Sequence, residues 1–216
     1  MQGKIILKAL AAASFVALTA TQAQAYDVVN TQVPSGSLFG SNTLDSNDWL
    51  AEKFTVASST QIDSVLAYVL SNDSANDIGK TFTIALYGNS GSNLPALNWN
   101  ADQHGQLFQA TATYNGDGWN GLSNLNWSIG AGSYWLALEQ NGDASNAGSL
   151  QLPTGALPAA QAVALYSGGQ NYAADTLSDT FGLHITAVTP AVPEPGSMAL
   201  VLCSLGVTAF VARRRS

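Results

Sequence analysis

From Tyr26 to Val188 the chain breaks into short apolar runs separated by clusters of Asn, Gly, Ser and Asp, with almost no sustained period of 3.6 residues. Runs of this length bury their apolar side chains as strands rather than as helices. The clearest is Lys80 to Tyr87, where Phe82, Ile84 and Leu86 alternate with Thr and Ala and cover one face. In Ser133 to Glu139, Tyr134, Leu136 and Leu138 point one way and Trp135, Ala137 and Glu139 the other. Phe181 to Val188 alternates in the same manner, and Leu50 to Val56, Gln61 to Leu70, Gln106 to Tyr114, Leu122 to Ile129 and Gln161 to Ser167 are further candidates. Between them lie Ser71 to Asp77, Gly88 to Asn93, Asn115 to Gly118 and Asn141 to Asp143. Asn and Asp close turns through their own side chains, and Gly supplies positive φ. About eight or nine strands at such spacing predict an all-β domain, a jelly-roll-like antiparallel β-sandwich. No long internal repeat is present, which speaks against a propeller or solenoid.

The 216 residues are 46% hydrophobic and only 10% charged, a composition that folds. The formal charge of −7 is unevenly distributed. Lys4 and Lys8 open the chain and Arg213, Arg214 and Arg215 close it, whereas residues 26–192 hold thirteen of the fourteen acids against Lys53 and Lys80 alone. That segment lacks the cations that neutralise phosphates, so nucleic acid is not expected as a partner.

The two ends read as addresses. Lys4 and Lys8, the apolar stretch from Ala9 to Ala20 and the small residues Ala23 and Ala25, at positions −3 and −1 of a cut after Ala25, predict a helical secretory signal peptide over 1–25. The general secretory machinery would then be a partner, with Tyr26 as the first residue of the mature domain, 26–189. The remainder, 190–216, opens on Val192, Pro193, Glu194 and Pro195, continues uncharged from Met198 to Ala212 and ends on the three arginines. Fifteen residues of helix rise roughly 22 Å, short of the ~30 Å hydrocarbon core, and snorkelling arginines make up part of the difference. The basic end would stay cytoplasmic.

This three-part tail resembles the PEP-CTERM sorting signal of bacterial exosortase systems. The resemblance implies a transient transmembrane helix, recognition by an exosortase-type sorting peptidase, and removal of the tail near Pro193-Glu194-Pro195. It further implies an inner-membrane intermediate and then export to the cell surface or extracellular matrix of an exopolysaccharide-producing bacterium. The two prolines keep the motif extended and accessible. Cys203, the only cysteine, lies in the part to be discarded. The middle of the chain resembles the choice-of-anchor group of surface domains, notably type R. The matching residues are Glu52 to Val56, Phe82 to Gly88 with Gly91 and Pro95, and Gly130 to Leu138. That group is defined by its occurrence on anchored proteins, so the resemblance implies no catalytic residue.

Chemistry-bearing motifs are scarce. His104 and His184 have no neighbouring Cys or His of zinc-site spacing. No nucleophile elbow, His-Glu-x-x-His helix or Walker loop occurs. A glycosidase would need two carboxylates across a cleft, and the mature domain offers Glu52 and Glu139 besides loop aspartates. Calcium suits the loop acids Asp45, Asp48, Asp73, Asp77, Asp117 and Asp143 chemically, but no EF-hand or nonapeptide pattern frames them, and turn formation accounts for them. No catalytic, cofactor or metal residue is therefore expected. Five tryptophans stand out, of which Trp135 is expected to pack, while Trp99 and Trp119, flanked by Asn and Gly, are the candidates for exposed sugar contacts. The sequence thus predicts a non-enzymatic, exported structural or adhesive protein associated with exopolysaccharide. A carbohydrate-binding module is the alternative, and a secreted hydrolase a more distant one.

Overall fold

The structure is a computed structural model that describes residues 24–36, 41–45, 47–140, 149–169 and 171–189. The expected signal peptide, apart from Gln24 and Ala25, the sorting tail and Asp143 lie outside the described residues. Among those described, no helix is long and apolar enough to cross a membrane. One compact unit spans Ala25–Thr189.

Every strand pairing in this unit is antiparallel, and the strands form two sheets. In the first, β1 (Ala25–Asn30), β13 (Leu183–Val188), β4 (Thr60–Ser71), β10 (Leu150–Pro153) and β2 (Ser41–Thr43) lie in that order, with β7 (Gly118–Leu122) and β8 (Trp127–Ile129) also pairing β4. The second runs β12 (Ala173–Asp175), β11 (Val163–Ser167), β3 (Asp48–Val56), β9 (Gly132–Gln140), β5 (Thr81–Gly88) and β6 (Gln106–Thr113). A short helix, α1 (Ser74–Asp77), follows β4.

The period of two decides which side chains meet between the sheets. Leu50, Phe54 and Val56 of β3, Phe82, Ile84 and Leu86 of β5, and Leu136 and Leu138 of β9 face Ile62, Val65, Ala67 and Val69 of β4 and Leu183 and Ile185 of β13. Each fully buried large apolar side chain here contributes about 1.5–3 kcal/mol. Ile62 and Val65 share the core face although they are three apart, a spacing a regular strand forbids. The β4–β13 register shifts at this point, pairing Ser64 with Thr186 but Ile62 with Ala187, so Asp63 is the extra residue of a bulge.

The sequence reading of Leu122 to Ile129 as one strand is corrected. β7 ends at Leu122 and β8 starts at Trp127, because Asn124 and Asn126 take φ values of 59° and 55°. Asn tolerates that left-handed backbone and a strand does not contain it.

Candidate functional site

The outer face of the second sheet carries an apolar layer of its own. Ala85 and Tyr87 of β5, Trp135 and Ala137 of β9, Ala51 of β3 and Ala164 and Tyr166 of β11 point away from the inter-sheet core and are buried nonetheless. The chain between β5 and β6 folds back over them, with Ala96 donating its N–H to the Gly88 carbonyl at 3.1 Å and Asn89 accepting the Trp135 indole N–H at 2.9 Å. Trp49 stacks on Tyr166 at 4.2 Å and 16°, Trp99 tilts against both at 6.0 Å, and His104 sits 4.6 Å from the Trp99 ring.

Glu139 lies within this layer, 5% exposed. Its Oε1 accepts the hydroxyls of Tyr87 at 2.7 Å and Tyr172 at 2.9 Å, and its Oε2 accepts Gln106 Nε2 at 2.9 Å. Burial raises its pKa, while the three donors oppose that shift by favouring the ionised form. Burial likewise pushes both tyrosine hydroxyls up, with the Glu139 charge adding to the effect. Both carboxylate oxygens are taken by protein donors, so the group clamps β5, β9, the start of β6 and the segment holding Tyr172. Sequence reasoning missed this network. Its signal was present, since Trp135, Ala137 and Glu139 alternate on the face shared with Ala85 and Tyr87.

Glu52 occupies the opposite face of the same sheet, on β3 between the core residues Leu50 and Phe54. It is 1% exposed, its Oε1 accepts the Phe181 N–H at 2.6 Å and its Oε2 has no hydrogen-bond partner among the described residues. Burial pushes this carboxyl well above the usual carboxylate range, with only the Phe181 bond acting the other way. The two glutamates of the domain are thus separated by the thickness of a sheet and cannot flank one glycosidic bond.

The loop acids are engaged by their own chain. Asp45 accepts the N–H groups of Asn47 and Asp48 at 2.7 and 3.0 Å, and Asp73 accepts Asn76 Nδ2 at 2.9 Å. Burial and then the Asp45 charge raise the pKa of Asp48. Asp77 pairs with Lys80 at 2.7 Å and accepts the Ser71 hydroxyl. Burial would raise its pKa, but Lys80, Ser149 and Ser71 hold it below the ordinary aspartate value. Asp117 accepts the Tyr114 hydroxyl at 2.5 Å and the Ser71 N–H at 2.9 Å. Among the described residues no three His, Cys, Asp or Glu side chains converge as a metal site.

The two tryptophans expected to be exposed together are not neighbours. Trp99 is half-buried in the layer over the second sheet, whereas Trp119 on β7 stands on the outer face of the first, 38% exposed. Flanking Asn and Gly describe the local chain and cannot say which sheet each ring joins. Around Trp119, Tyr68 meets its ring edge-on at 5.6 Å and the His184 ring lies 6.3 Å away. His184 Nε2 is 2.8 Å from Asp27 Oδ1, and Asn30 Nδ2 donates to Asp27 Oδ2 at 3.2 Å. The His184 and Asn30 bonds hold the Asp27 carboxyl below its usual value despite slight desolvation. The patch thus joins one open aromatic ring to a row of hydroxyl, imidazole, carboxylate and amide groups. Trp135 packs as expected, at 1% exposure.

No protein-family model matches the sequence, and no curated protein matches it. Two solved structures are similar at a TM-score of 0.47. One holds the cysteine protease and lectin-like domains of Cwp84, a surface layer associated protein of Clostridium difficile, and is 14% identical over 68% of this chain and 33% of that one. The other is the clostridial cysteine protease Cwp84 after propeptide cleavage, 13% identical over 78% of this chain and 40% of that one. This chain therefore spans well under half the length of either.

Proposed function

We propose that the protein is an exported, non-enzymatic surface or extracellular-matrix component, sorted by an exosortase-type peptidase and structural or adhesive against exopolysaccharide. The observation that carries this reading is the order of three features in the tail: Pro193-Glu194-Pro195, the uncharged run Met198 to Ala212, and Arg213 to Arg215. The fold is consistent with it. Glu52 and Glu139 are buried on opposite faces of the second sheet, so these two carboxylates do not form an acid pair for hydrolysis. Intact-mass analysis of membrane and extracellular fractions tests the sorting, beside a variant carrying Pro193→Ala, Glu194→Ala and Pro195→Ala. The expected wild-type species starts at Tyr26 and ends near Pro195, and the variant does not yield it. A mass that retains Arg213 to Arg215 in the membrane fraction would make the tail a permanent anchor and end the matrix reading.

The open Trp119 patch favours a second, compatible reading, in which the first sheet's outer face contacts sugar rings. Aromatic faces stack on sugars while neighbouring polar groups meet the hydroxyls. In native gels containing purified extracellular polysaccharide of the producing cells, Trp119→Ala is expected to weaken retardation about tenfold, ~1.4 kcal/mol. Trp99→Phe should leave it unchanged. Equal retardation of wild type and Trp119→Ala would remove this contact.

A further inference from the structure

Three Asn-Gly pairs occur in the sequence: Asn115-Gly116, Asn120-Gly121 and Asn141-Gly142. Glycine in the second place leaves the asparagine carboxamide open to attack by the next backbone nitrogen, because no side chain stands in the way and the backbone turns freely. The first two pairs lie close together at the β6–β7 corner, yet the fold treats them oppositely. The third lies outside the described residues.

Asn120 is 3% exposed and its carboxamide is engaged at both ends: it accepts the Asn115 N–H and donates to the Gly116 and Gly118 carbonyls. The nitrogen that would attack it belongs to Gly121, held in the β7–β4 ladder opposite Leu66 and pressed against the Val65 carbonyl. Neither half of this pair is free to swing into a ring. Asn115 is exposed and belongs to no strand, and among the described residues its side chain makes a single hydrogen bond, from Nδ2 to the Thr113 carbonyl at 3.1 Å. Thr113 is exposed as well, so water replaces that bond at small net cost. Gly116, at φ 131°, has nothing within 4 Å of an added Cβ, and among the described residues its N–H makes no hydrogen bond. Asp117-Gly118 has the same spacing, but a carboxylate is a poor electrophile, and Asp117 Oδ1 is held by Tyr114 and Ser71.

We propose that Asn115 is a site of spontaneous covalent modification, deamidated to aspartate or isoaspartate in the folded protein while Asn120 keeps its amide. The Gly116 nitrogen loses its proton to solvent base and attacks Asn115 Cγ. A bond forms between that nitrogen and Cγ, the Cγ–Nδ2 bond breaks, and Nδ2 leaves with the electron pair and a proton from water as ammonia. Water then opens the cyclic imide. Attack at the side-chain carbonyl gives aspartate, and attack at the main-chain carbonyl gives isoaspartate. Water is the only co-reactant, and nothing is oxidised or reduced. Either product adds a negative charge to the corner beside Asp117. Isoaspartate also inserts a methylene into the main chain between the Asn115 N–H and the Gly116 carbonyl, the two groups that Asn120 bridges. The modification thus loosens the turn that leads into β7 and Trp119. It stands independently of the sorting and sugar-contact readings.

Incubation of the detergent-solubilised full chain at mildly alkaline pH tests this, with samples taken over weeks and digested for peptide mass spectrometry that separates asparagine, aspartate and isoaspartate. Position 115 is expected to convert about tenfold faster than position 120, or more. A parallel sample in guanidinium chloride, where both pairs are unfolded, should convert the two at similar rates. Asn115→Gln, whose longer side chain would have to close a larger and slower ring, should remove the conversion at 115 and leave position 120 as it was. An Asn115 that stays intact in the folded chain overturns the proposal, since the corner would then hold it as firmly as β7 holds Asn120. Equal conversion of 115 and 120 in the folded chain overturns it as well. So does a tenfold difference that persists in guanidinium chloride, which would make local sequence rather than the fold the cause.

Discussion

Glu52→Gln is expected to raise the stability of the domain at neutral pH and to flatten its pH dependence. The Glu52 carboxyl is 1% exposed, faces the inter-sheet core and has one oxygen without a hydrogen-bond partner among the described residues, so its charged form is strongly disfavoured. The folded state therefore keeps this proton at pH values where the unfolded chain has released it. Above the ordinary glutamate value of 4.5 the unfolded state binds fewer protons, and stability falls as pH rises until the raised folded value is passed. Across that interval the loss is about 1.4 kcal/mol per pH unit. Glu139 acts in the same direction, less strongly opposed to ionisation because three donors satisfy it. Asp27 and Asp77 act oppositely: their folded values lie below 3.8, so their contributions are present above that pH and vanish as pH falls through the folded values. The wild type should accordingly be most stable in mildly acid solution. Gln keeps the acceptor for the Phe181 N–H and cannot ionise. Urea midpoints measured from pH 4 to pH 8 should converge for wild type and variant near the acid end and separate progressively above it. Parallel profiles would mean that Glu52 titrates alike in the folded and unfolded chain, so that its carboxyl is not shifted by burial.

The second large effect concerns Gly121, the fourth of the five residues of β7. A Cβ there would lie 2.1 Å from the Val65 carbonyl oxygen and 2.8 Å from the Leu66 Cα, both backbone atoms of β4 that no rotamer change moves away. β7 must then retreat from β4 along a register that includes Trp119↔Tyr68 and Leu122↔Val65. Asn120 moves with it. Its buried amide accepts the Asn115 N–H at 2.8 Å and donates to the Gly116 and Gly118 carbonyls at 2.8 and 2.9 Å, bonds that hold the β6–β7 corner. Gly121→Ala is thus expected to cost about 3 kcal/mol or more, the sum of overpacking and loss of buried hydrogen bonds. Gly91→Ala, where nothing lies within 4 Å of the added Cβ, should stay within about 0.5 kcal/mol of wild type. Thermal unfolding of both variants compares the two. Similar midpoints for Gly121→Ala and wild type would show that β7 can shift without loss.

The sequence by itself determined the longer strands of the second sheet and the faces within them, but not the short strands β1, β2, β10 and β12, the break between β7 and β8, or the bulge in β4. Phe82, Ile84 and Leu86 against Ala85 and Tyr87, or Leu136 and Leu138 against Trp135 and Ala137, are separated by a period fixed by the extended backbone, which needs no partner to operate. It also placed Glu52 on the face of Leu50, Phe54 and Val56, a sign of a core carboxyl that the alternation shows once the strand is written out. The absence of any sequence motif for nucleophilic or metal chemistry was legible in the same way. The tertiary structure alone decided which faces are covered. Glu139 reads as a polar residue on a solvated face until the chain between β5 and β6 and the segment carrying Tyr172 are seen to fold over it. Trp99 and Trp119 have similar neighbours in sequence yet join different sheets, because sheet membership depends on pairings many residues away, whereas turn composition reports only the few residues around it. That β6 ends its sheet among the described residues is likewise a property of strand order: whether a strand ends a sheet is settled by what pairs beside it, and no local pattern encodes that.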